Sequence, residues 1–193
     1  EDIKRSVPII KKILEAYNIP VLEVEGFEAD DVIGTLAKKV DKNEFDVYMM
    51  TPDKDYGQLV EEHVFIYKPK YGSNEFEVLD HDKVMEKYHL SHPGQVIDLL
   101  GLMGDTSDNI PGCPGVGPKT AEKLLKEYGS IENLIQNSHK LKGTLRTKIE
   151  ENREQILFSK FLATIKTDVP VEIDIENLKR KEINEVAIRE LFE

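Results

Sequence analysis

Apolar side chains recur at two different periods along the first part of the chain. Positions 3–17 and 29–40 carry them every three or four residues, which predicts two amphipathic helices. Short apolar runs between turn residues predict strands, and these are 21–24, 46–51, 64–67 and 76–79. A short helix is expected over 56–60. Strands that alternate with helices predict an α/β sheet that is mostly parallel and flanked by helices.

From about residue 80 onward the pattern becomes helical. The predicted helices are 84–88, 95–103, 120–128, 131–136 and a longer one over 149–165. We therefore predict an α/β unit over residues 1–85 and a helical unit over residues 86–193. No low-complexity linker separates the two, so we expect them to pack closely.

Composition fits a globular chain of one large domain or two small ones. The 193 residues are 39% hydrophobic and 33% charged. No apolar run approaches the roughly 20 residues of a membrane helix, and no secretory signal is visible. The single Cys113 cannot form an internal disulfide, which is compatible with a reducing cytosol.

The net charge of −11 at first argues against nucleic acid as a partner. Its distribution changes that interpretation, because residues 110–150 hold seven Lys or Arg and four Glu, a local net charge of +3. Several of the remaining acidic residues lie in candidate metal sites, where bound cations would neutralise their charge. An ordinary acidic surface explains most of the others.

Seven carboxylates lie in three clusters near predicted strand ends and turns. They are Glu28, Asp30, Asp31, Asp53, Asp55, Asp105 and Asp108. The first two clusters follow predicted strands, and ligands of open α/β sheets gather at the carboxyl ends of strands. Asp105 and Asp108 are three residues apart, so one helical turn would point both the same way. Lys54, between two of the acids, would neutralise charge, touch a phosphate, or simply be solvated.

Carboxylates that converge repel one another unless cations lie between them. Magnesium prefers oxygen ligands, and two such ions about 4 Å apart serve phosphodiester hydrolysis. Each cluster has an ordinary structural alternative. Asp30 and Asp31 would then be a helix cap and a first-turn acid, and Asp53, Asp55, Asp105 and Asp108 would be turn or capping residues.

A glycine-rich turn follows the third cluster and leads into a predicted helix. Gly115 and Gly117 allow close approach to a ligand, and free amides at a helix start bind phosphate. The candidate nucleic-acid contacts are Gly115, Val116, Gly117, Lys119, Thr120 and Lys123. A Walker P-loop is excluded, because Pro118 separates Gly117 from Lys119. The alternative is a plain turn between helices with Lys119 merely exposed.

Taken together, these segments resemble the 5′-nuclease domain of bacterial DNA polymerase I. The matching motifs, in the same order, are EADDVIGTLA at 28–37, DKD at 53–55, LMGDTSDNIPG at 102–112 and GVGPKTA at 115–121, with LATIKTDV at 162–169 resembling the segment near the domain's end. The resemblance spans essentially all of residues 1–193.

The resemblance implies a flap-endonuclease-type fold related to PIN domains, followed by a helix–hairpin–helix subdomain. It implies 5′→3′ exonuclease and flap cleavage by two Mg²⁺ or Mn²⁺ ions, used in primer removal and repair. It places metal ligands at the seven carboxylates and a duplex contact at 115–119, with a potassium ion at the turn. The implied partners are nicked or branched DNA with a 5′ flap or RNA primer, and polymerase domains of the same polypeptide. The implied location is the bacterial cytoplasm, in association with the nucleoid.

The chain departs from the family pattern at its start. Family members begin with a strand that supplies an aspartate ligand, followed by a second aspartate and a basic helical arch, and none of these precedes Glu1. From this we expect weak metal binding and little activity from the chain alone. The competing hypothesis is a catalytically weak fragment that binds duplex DNA.

Overall fold

The computed structural model describes residues 2–172 and 174–192. Its first part alternates helices with three short strands and a 3₁₀ turn. In chain order these are α1 (Asp2–Ala16), α2 (Ala29–Lys39), β1 (Val47–Met49), the 3₁₀ turn Asp55–Leu59, β2 (Val64–Pro69), β3 (Phe76–Leu79) and α3 (His81–Tyr88). The predicted order of helices and strands is confirmed, apart from the first strand.

The remainder is helical, as predicted. It contains the 3₁₀ turn Pro93–Gln95, α4 (Val96–Met103), α5 (Pro118–Tyr128), α6 (Ile131–Gln136), the 3₁₀ turn Ser138–Lys140, α7 (Gly143–Glu151), α8 (Arg153–Ala163), α9 (Ile175–Leu178) and α10 (Glu185–Phe192). Among the helices of the described residues, none combines the length and apolar character needed to cross a bilayer.

The sheet is small and mixed. Strand β1 pairs with β2 in parallel, Val47 opposite Val64, as the predicted parallel core requires. Strand β3 adds to the other side of β2 in antiparallel register, with Ile66 opposite Leu79. The antiparallel pairing follows from the short turn around Gly72, because a tight connection can only join antiparallel strands.

Two predicted elements are wrong. Residues 21–24 are not a strand, because no other described segment pairs with them and Val21 and Leu22 remain 45% and 37% exposed. The long helix predicted over 149–165 is two helices that meet at Asn152. The Asn152 backbone leaves the helical region (φ −108°, ψ 21°), and its side-chain amide donates to the Lys148 carbonyl (2.8 Å), which caps the end of α7.

The core lies around α4, whose apolar faces pack against α5, α6 and α8. Leu100, Leu102 and Ile131 are among its fully buried side chains. Helix α8 crosses α4 so closely that a Cβ on Gly101 would lie 3.0 Å from the Lys160 Cα atom. The close crossing fixes where the carboxyl end of α8 lies relative to the loop that follows α4.

A buried charge network joins the same helices. The Asp98 carboxylate accepts hydrogen bonds from the Ile131 amide (2.9 Å) and from the Lys160 ammonium (2.7 Å), and Lys160 also pairs with Glu132 (2.9 Å). Asp98 is 4% exposed, and its charge is balanced by a partner on a different helix. Breaking either contact would leave a buried charge without its counterion.

Candidate metal centre

An acidic cleft of about 260 Å³ lies where α2, the Asp55–Leu59 turn and the loop after α4 meet. Six of the seven predicted carboxylates line it: Glu28, Asp30, Asp31, Asp53, Asp55 and Asp108. Ile110 and residues 162–165 also line it, and we call residues 162–165 the cleft-wall segment. Segments as far apart in sequence as residues 28 and 165 are thus brought to one site.

Three of the carboxylates approach closely enough to share a cation. One oxygen each of Asp55, Asp105 and Asp108 lie within 4.8 Å of one another. Asp105 is buried (6% exposed), whereas Asp108 is exposed at the cleft. Three hard oxygen donors at this spacing suit Mg²⁺ or Mn²⁺, which complete their shells with water.

The loop that presents Asp105 and Asp108 is not the helical turn expected from their spacing. Asp105 and Ile110 exchange two backbone hydrogen bonds (2.8 and 2.7 Å) that close the loop as a small β-bridge. Asn109 takes the left-handed conformation (φ +57°) that lets the chain return. The Asp105 side chain also accepts from the Ser107 amide (2.9 Å), which fixes its orientation.

The Lys54 ammonium lies among these carboxylates. It forms an ion pair with Asp105 and lies 3.9 Å from the Asp55 Oδ1 atom. That Oδ1 atom is buried and has no hydrogen-bond partner within the described residues. A buried carboxylate oxygen without a donor, beside two further carboxylates and a cation, fits a divalent ion as its missing partner.

Burial and mutual repulsion shift the pKa values of the three clustered carboxyl groups. Burial, with the nearby charges of Asp53 and Asp105, raises the pKa of Asp55 to about 7. Burial and the charge of Asp105 also raise the pKa of Asp108. Burial alone would raise the pKa of Asp105, but the hydrogen bonds from Lys54 and the Ser107 amide outweigh it and hold that pKa below its usual value.

The carboxylates at the start of α2 have further contacts. Glu28 is the N-cap residue and forms a capping box with Asp31. Asp31 also accepts a hydrogen bond from the Lys166 amide (2.8 Å), just beyond the cleft-wall segment. The phenol of buried Tyr56 donates to Asp30 (2.8 Å). Asp31 therefore holds the local structure as well as facing the cleft.

The predicted glycine turn is a tight hairpin over residues 112–117, and α5 begins directly after it. Gly115 (φ +72°) and Gly117 are exposed, as are Lys119 and Lys123, while Thr120 is half-buried. Val116 is 3% exposed and packs in the core, so only its backbone is available to a ligand. The amide of Cys113 donates to the Leu102 carbonyl (2.8 Å), which ties the hairpin to α4.

The hairpin and the acidic loop are in direct backbone contact. A Cβ on Gly112 would lie 2.3 Å from the Gly104 amide nitrogen, and both glycines have positive φ (+63° and +76°). Helix α8 supports the contact, because the Ser159 hydroxyl accepts from the Gly112 amide (3.0 Å) and Gln155 donates to its carbonyl (2.7 Å). The acidic cleft and the hairpin are therefore parts of one rigid assembly.

Tyr56 and Gln58 are missing from the sequence interpretation of these sites, and Lys148 enters it only as one of the basic residues near the hairpin. Tyr56 and Gln58 contact cleft components, and the Lys148 ammonium lies 3.4 Å from the Gly115 carbonyl oxygen. Tyr56 and Gln58 share the turn that starts at Asp55, so their closeness to a candidate ligand is a signal in the sequence. Lys148 is 33 residues from Gly115, and only the fold reveals that contact.

Two family profiles together match almost the whole chain. The profile described as "5'-3' exonuclease, N-terminal resolvase-like domain" matches residues 1–89, and "5'-3' exonuclease, C-terminal SAM fold" matches residues 91–186. DNA polymerase I of Bacillus subtilis (strain 168) is 43% identical over 192 residues, 99% of this chain and 22% of that protein. The thermostable DNA polymerase I of Thermus aquaticus is 39% identical over 193 residues, 100% of this chain and 22% of that protein.

The chain thus spans about a fifth of the length of these curated relatives. Solved structures with the same fold are more distant in sequence. T5 5′-exonuclease with bound zinc superimposes with a TM-score of 0.67 at 20% identity, over 90% of this chain and 62% of that one. The catalytic core of Rad2 gives a TM-score of 0.61 at 17% identity, over 96% of this chain and 66% of that one.

Proposed function

The chain belongs to the 5′-3′ exonuclease family, and we propose that it is the nuclease module of a DNA polymerase I. The proposed activity is 5′→3′ exonucleolytic and flap-endonucleolytic hydrolysis of phosphodiester bonds. One observation carries the proposal: carboxylates of three distant segments line one cleft, and an exposed glycine hairpin is in backbone contact with the loop that supplies Asp108 to the cleft and Asp105 beside it.

The metal centre would be formed by Asp55, Asp105 and Asp108, with Glu28, Asp30, Asp31 and Asp53 along the same cleft. A divalent ion such as Mg²⁺ or Mn²⁺, with a second beside it, would supply an acidified water and charge stabilisation for the leaving oxygen. The chain's own residues orient that centre. Ser107 and Ile110 fix the Asp105 loop through backbone hydrogen bonds, and Tyr56 holds Asp30.

The hairpin would bind the DNA backbone. Its exposed glycines permit close approach of a phosphate, and Lys119 and Lys123 project from the start of α5, with Thr120 beside them. This contact does not read bases, which suits a nuclease that recognises structure rather than sequence. Backbone carbonyls of the turn, such as that of Gly115, would hold a potassium ion, in competition with the Lys148 ammonium that lies 3.4 Å from the same oxygen.

We propose that the whole protein removes primers and repairs nicked or flapped DNA. Its polymerase domains would lie on the same polypeptide. It would act in the bacterial cytoplasm, at the nucleoid. The names of the two relatives support a place within a DNA polymerase, since both are called DNA polymerase I. Residues 1–85 would form the metal-binding unit and residues 86–193 the DNA-binding unit, with Asp105 and Asp108 reaching back into the cleft.

A cleavage assay on a 5′-labelled flap duplex with Mg²⁺ tests the proposal. We expect weak cleavage that EDTA abolishes, and we expect Asp105→Asn to abolish it while the duplex is still bound. Duplex binding without any Mg²⁺-dependent cleavage by the unsubstituted chain would instead favour a DNA-binding role. The ion pair between Lys54 and Asp105 is the observation that favours this second function, because it neutralises the acidic loop without a metal.

A further inference from the structure

Gln58 contacts two segments that line the acidic cleft with a single side-chain amide. Its Nε2 group donates to the Asp55 carbonyl (3.0 Å) and to the Ala163 carbonyl (2.9 Å). Its Oε1 atom accepts from the Ile165 amide (2.9 Å). The side chain is half-buried at the end of the 3₁₀ turn that begins with Asp55.

These three contacts join segments that the chain keeps far apart. Ala163 and Ile165 are 105 and 107 residues from Gln58 in sequence, and both belong to the cleft-wall segment. Asp55 supplies one oxygen of the three-carboxylate group, and its buried Oδ1 atom has no donor among the described residues. Gln58 therefore joins the turn that carries a candidate ligand to the cleft-wall segment.

The chemistry of a primary amide suits this position. Both N–H groups of Gln58 are used as donors and its oxygen as an acceptor, so one uncharged side chain satisfies two carbonyls and one amide. An apolar side chain of the same length would leave all three backbone groups without that partner. A carboxylate could accept from Ile165 but could not donate to the two carbonyls.

We propose that Gln58 is a positioning residue of the metal centre, which holds the Asp55 turn and the cleft-wall segment at a fixed separation. The inference rests on the proposed function, since it concerns the same carboxylates. Residues that orient metal ligands are worth roughly 10-fold to 100-fold in metal affinity. Gln58 acts on the Asp55 turn through its backbone, so its loss lets the Asp55 carboxylate move away from Asp105 and Asp108.

Gln95 provides a matched control in the same chain. It is a buried glutamine (2% exposed) that also joins two backbone segments, accepting from the Ser91 amide (2.7 Å) and donating to the Gly129 carbonyl (2.6 Å). None of its partners lines the acidic cleft. Gln95→Met therefore removes a comparable set of structural hydrogen bonds without touching the proposed centre.

The experiment compares Mn²⁺ binding by the unsubstituted chain, Gln58→Met and Gln95→Met, using electron paramagnetic resonance of the free ion. Denaturant unfolding of the same samples gives their stabilities. We expect both variants to be less stable, but only Gln58→Met to bind Mn²⁺ about 10-fold or more weakly. If Gln58→Met does not fold by circular dichroism, Gln58→Asn replaces it, because its shorter amide cannot reach both sides.

Unchanged Mn²⁺ affinity in the folded Gln58 variant would overturn the positioning role while leaving the metal centre intact. Equal losses in the Gln58 and Gln95 variants would also overturn it, because the effect would then follow general stability. Failure of the unsubstituted chain to bind Mn²⁺ at millimolar concentration would overturn the metal centre itself, and the positioning role with it.

Discussion

Gly112 lies against Gly104 with no room for a side chain on either residue. A Cβ on Gly112 would lie 2.3 Å from the Gly104 nitrogen, and a Cβ on Gly104 would lie 2.7 Å from the Ile110 carbonyl oxygen. The backbone contact places the hairpin directly behind the loop that carries Asp105 and Asp108. The geometry of the proposed metal centre and that of the proposed DNA contact therefore depend on the same two residues.

Gly112→Ala is expected to destabilise the fold by about 3 kcal/mol or more, because the new methyl group must displace backbone atoms and the residue has positive φ. Urea unfolding measures the effect. Gly129→Ala is the control: its φ is +79°, but nothing lies within 4 Å of its Cβ position, so only the backbone cost of about 1 kcal/mol applies. Equal losses in the two variants would show that the close contact with Gly104 does not matter.

Stability in EDTA should fall as the pH rises from about 4 to about 7. The carboxyl of Asp55 has a pKa of about 7 in the folded chain and about 3.9 when unfolded, so the folded state holds more protons across that interval. Asp55→Asn removes this dependence and should be more stable than the unsubstituted chain at pH 8 by about 1–3 kcal/mol. The measurement is denaturant unfolding at pH 4.5 and pH 8.

Mg²⁺ should reverse that order at pH 8. The ion binds the ionised carboxylates, so it should stabilise the unsubstituted chain and do much less for Asp55→Asn, which lacks one ligand charge. Lower stability of Asp55→Asn at pH 8 in EDTA would contradict the assignment of a destabilising buried charge to Asp55.

Lys119→Ala should weaken duplex binding to all sequences alike and lower the slope of log affinity against log salt by roughly 1. The reason is that Lys119 is exposed at the start of α5, where it would neutralise one phosphate. Fluorescence anisotropy with a labelled duplex at several salt concentrations gives the slope. Lys12→Ala on α1 should leave it unchanged, and an unchanged slope for Lys119→Ala would remove that residue from the phosphate contacts.

Asp98→Ala should cost about 3–5 kcal/mol, because it leaves the Lys160 ammonium and the Ile131 amide without their shared acceptor. Glu132→Gln is the comparison. The Glu132 side chain is 50% exposed and pairs with the same lysine, so its loss should cost at most about 1 kcal/mol. Thermal or urea unfolding distinguishes the two, and similar costs would mean that the burial of Asp98 does not govern the network.

Helices with a regular apolar face were the most predictable part of the chain, because that face can be read from spacing alone, whereas α9 and α10 were not predicted. Ile131–Gln136 matches its predicted bounds, and the Ser130 side chain caps its start by accepting from the Asn133 amide. The break at Asn152 was not predictable by spacing, since apolar residues continue across it. Residues 21–24 have the composition of a strand, but a strand exists only where a neighbour pairs with it.

Part of the candidate site could likewise be predicted from the sequence, and part could not. Acidic clusters at strand ends and helix starts are visible in the sequence, and their approach to one cleft follows from the fold class. The loop that closes between Asp105 and Ile110 is set by two backbone hydrogen bonds, which side-chain identity does not reveal. Partners such as Gln58 with Ala163 depend on how α8 packs, and this information exists only in three dimensions.

Helix α8 also sets the distance between the hairpin and the acidic cleft. It holds the hairpin through Gln155 and Ser159, and its last residue, Ala163, bonds to Gln58 beside the cleft. The eight residue steps from Gln155 to Ala163 span roughly 12 Å, a distance that a packed helix does not change. The proposed phosphate contact and the proposed metal centre are therefore held apart by one rigid element, so a change in the length of α8 would alter their separation.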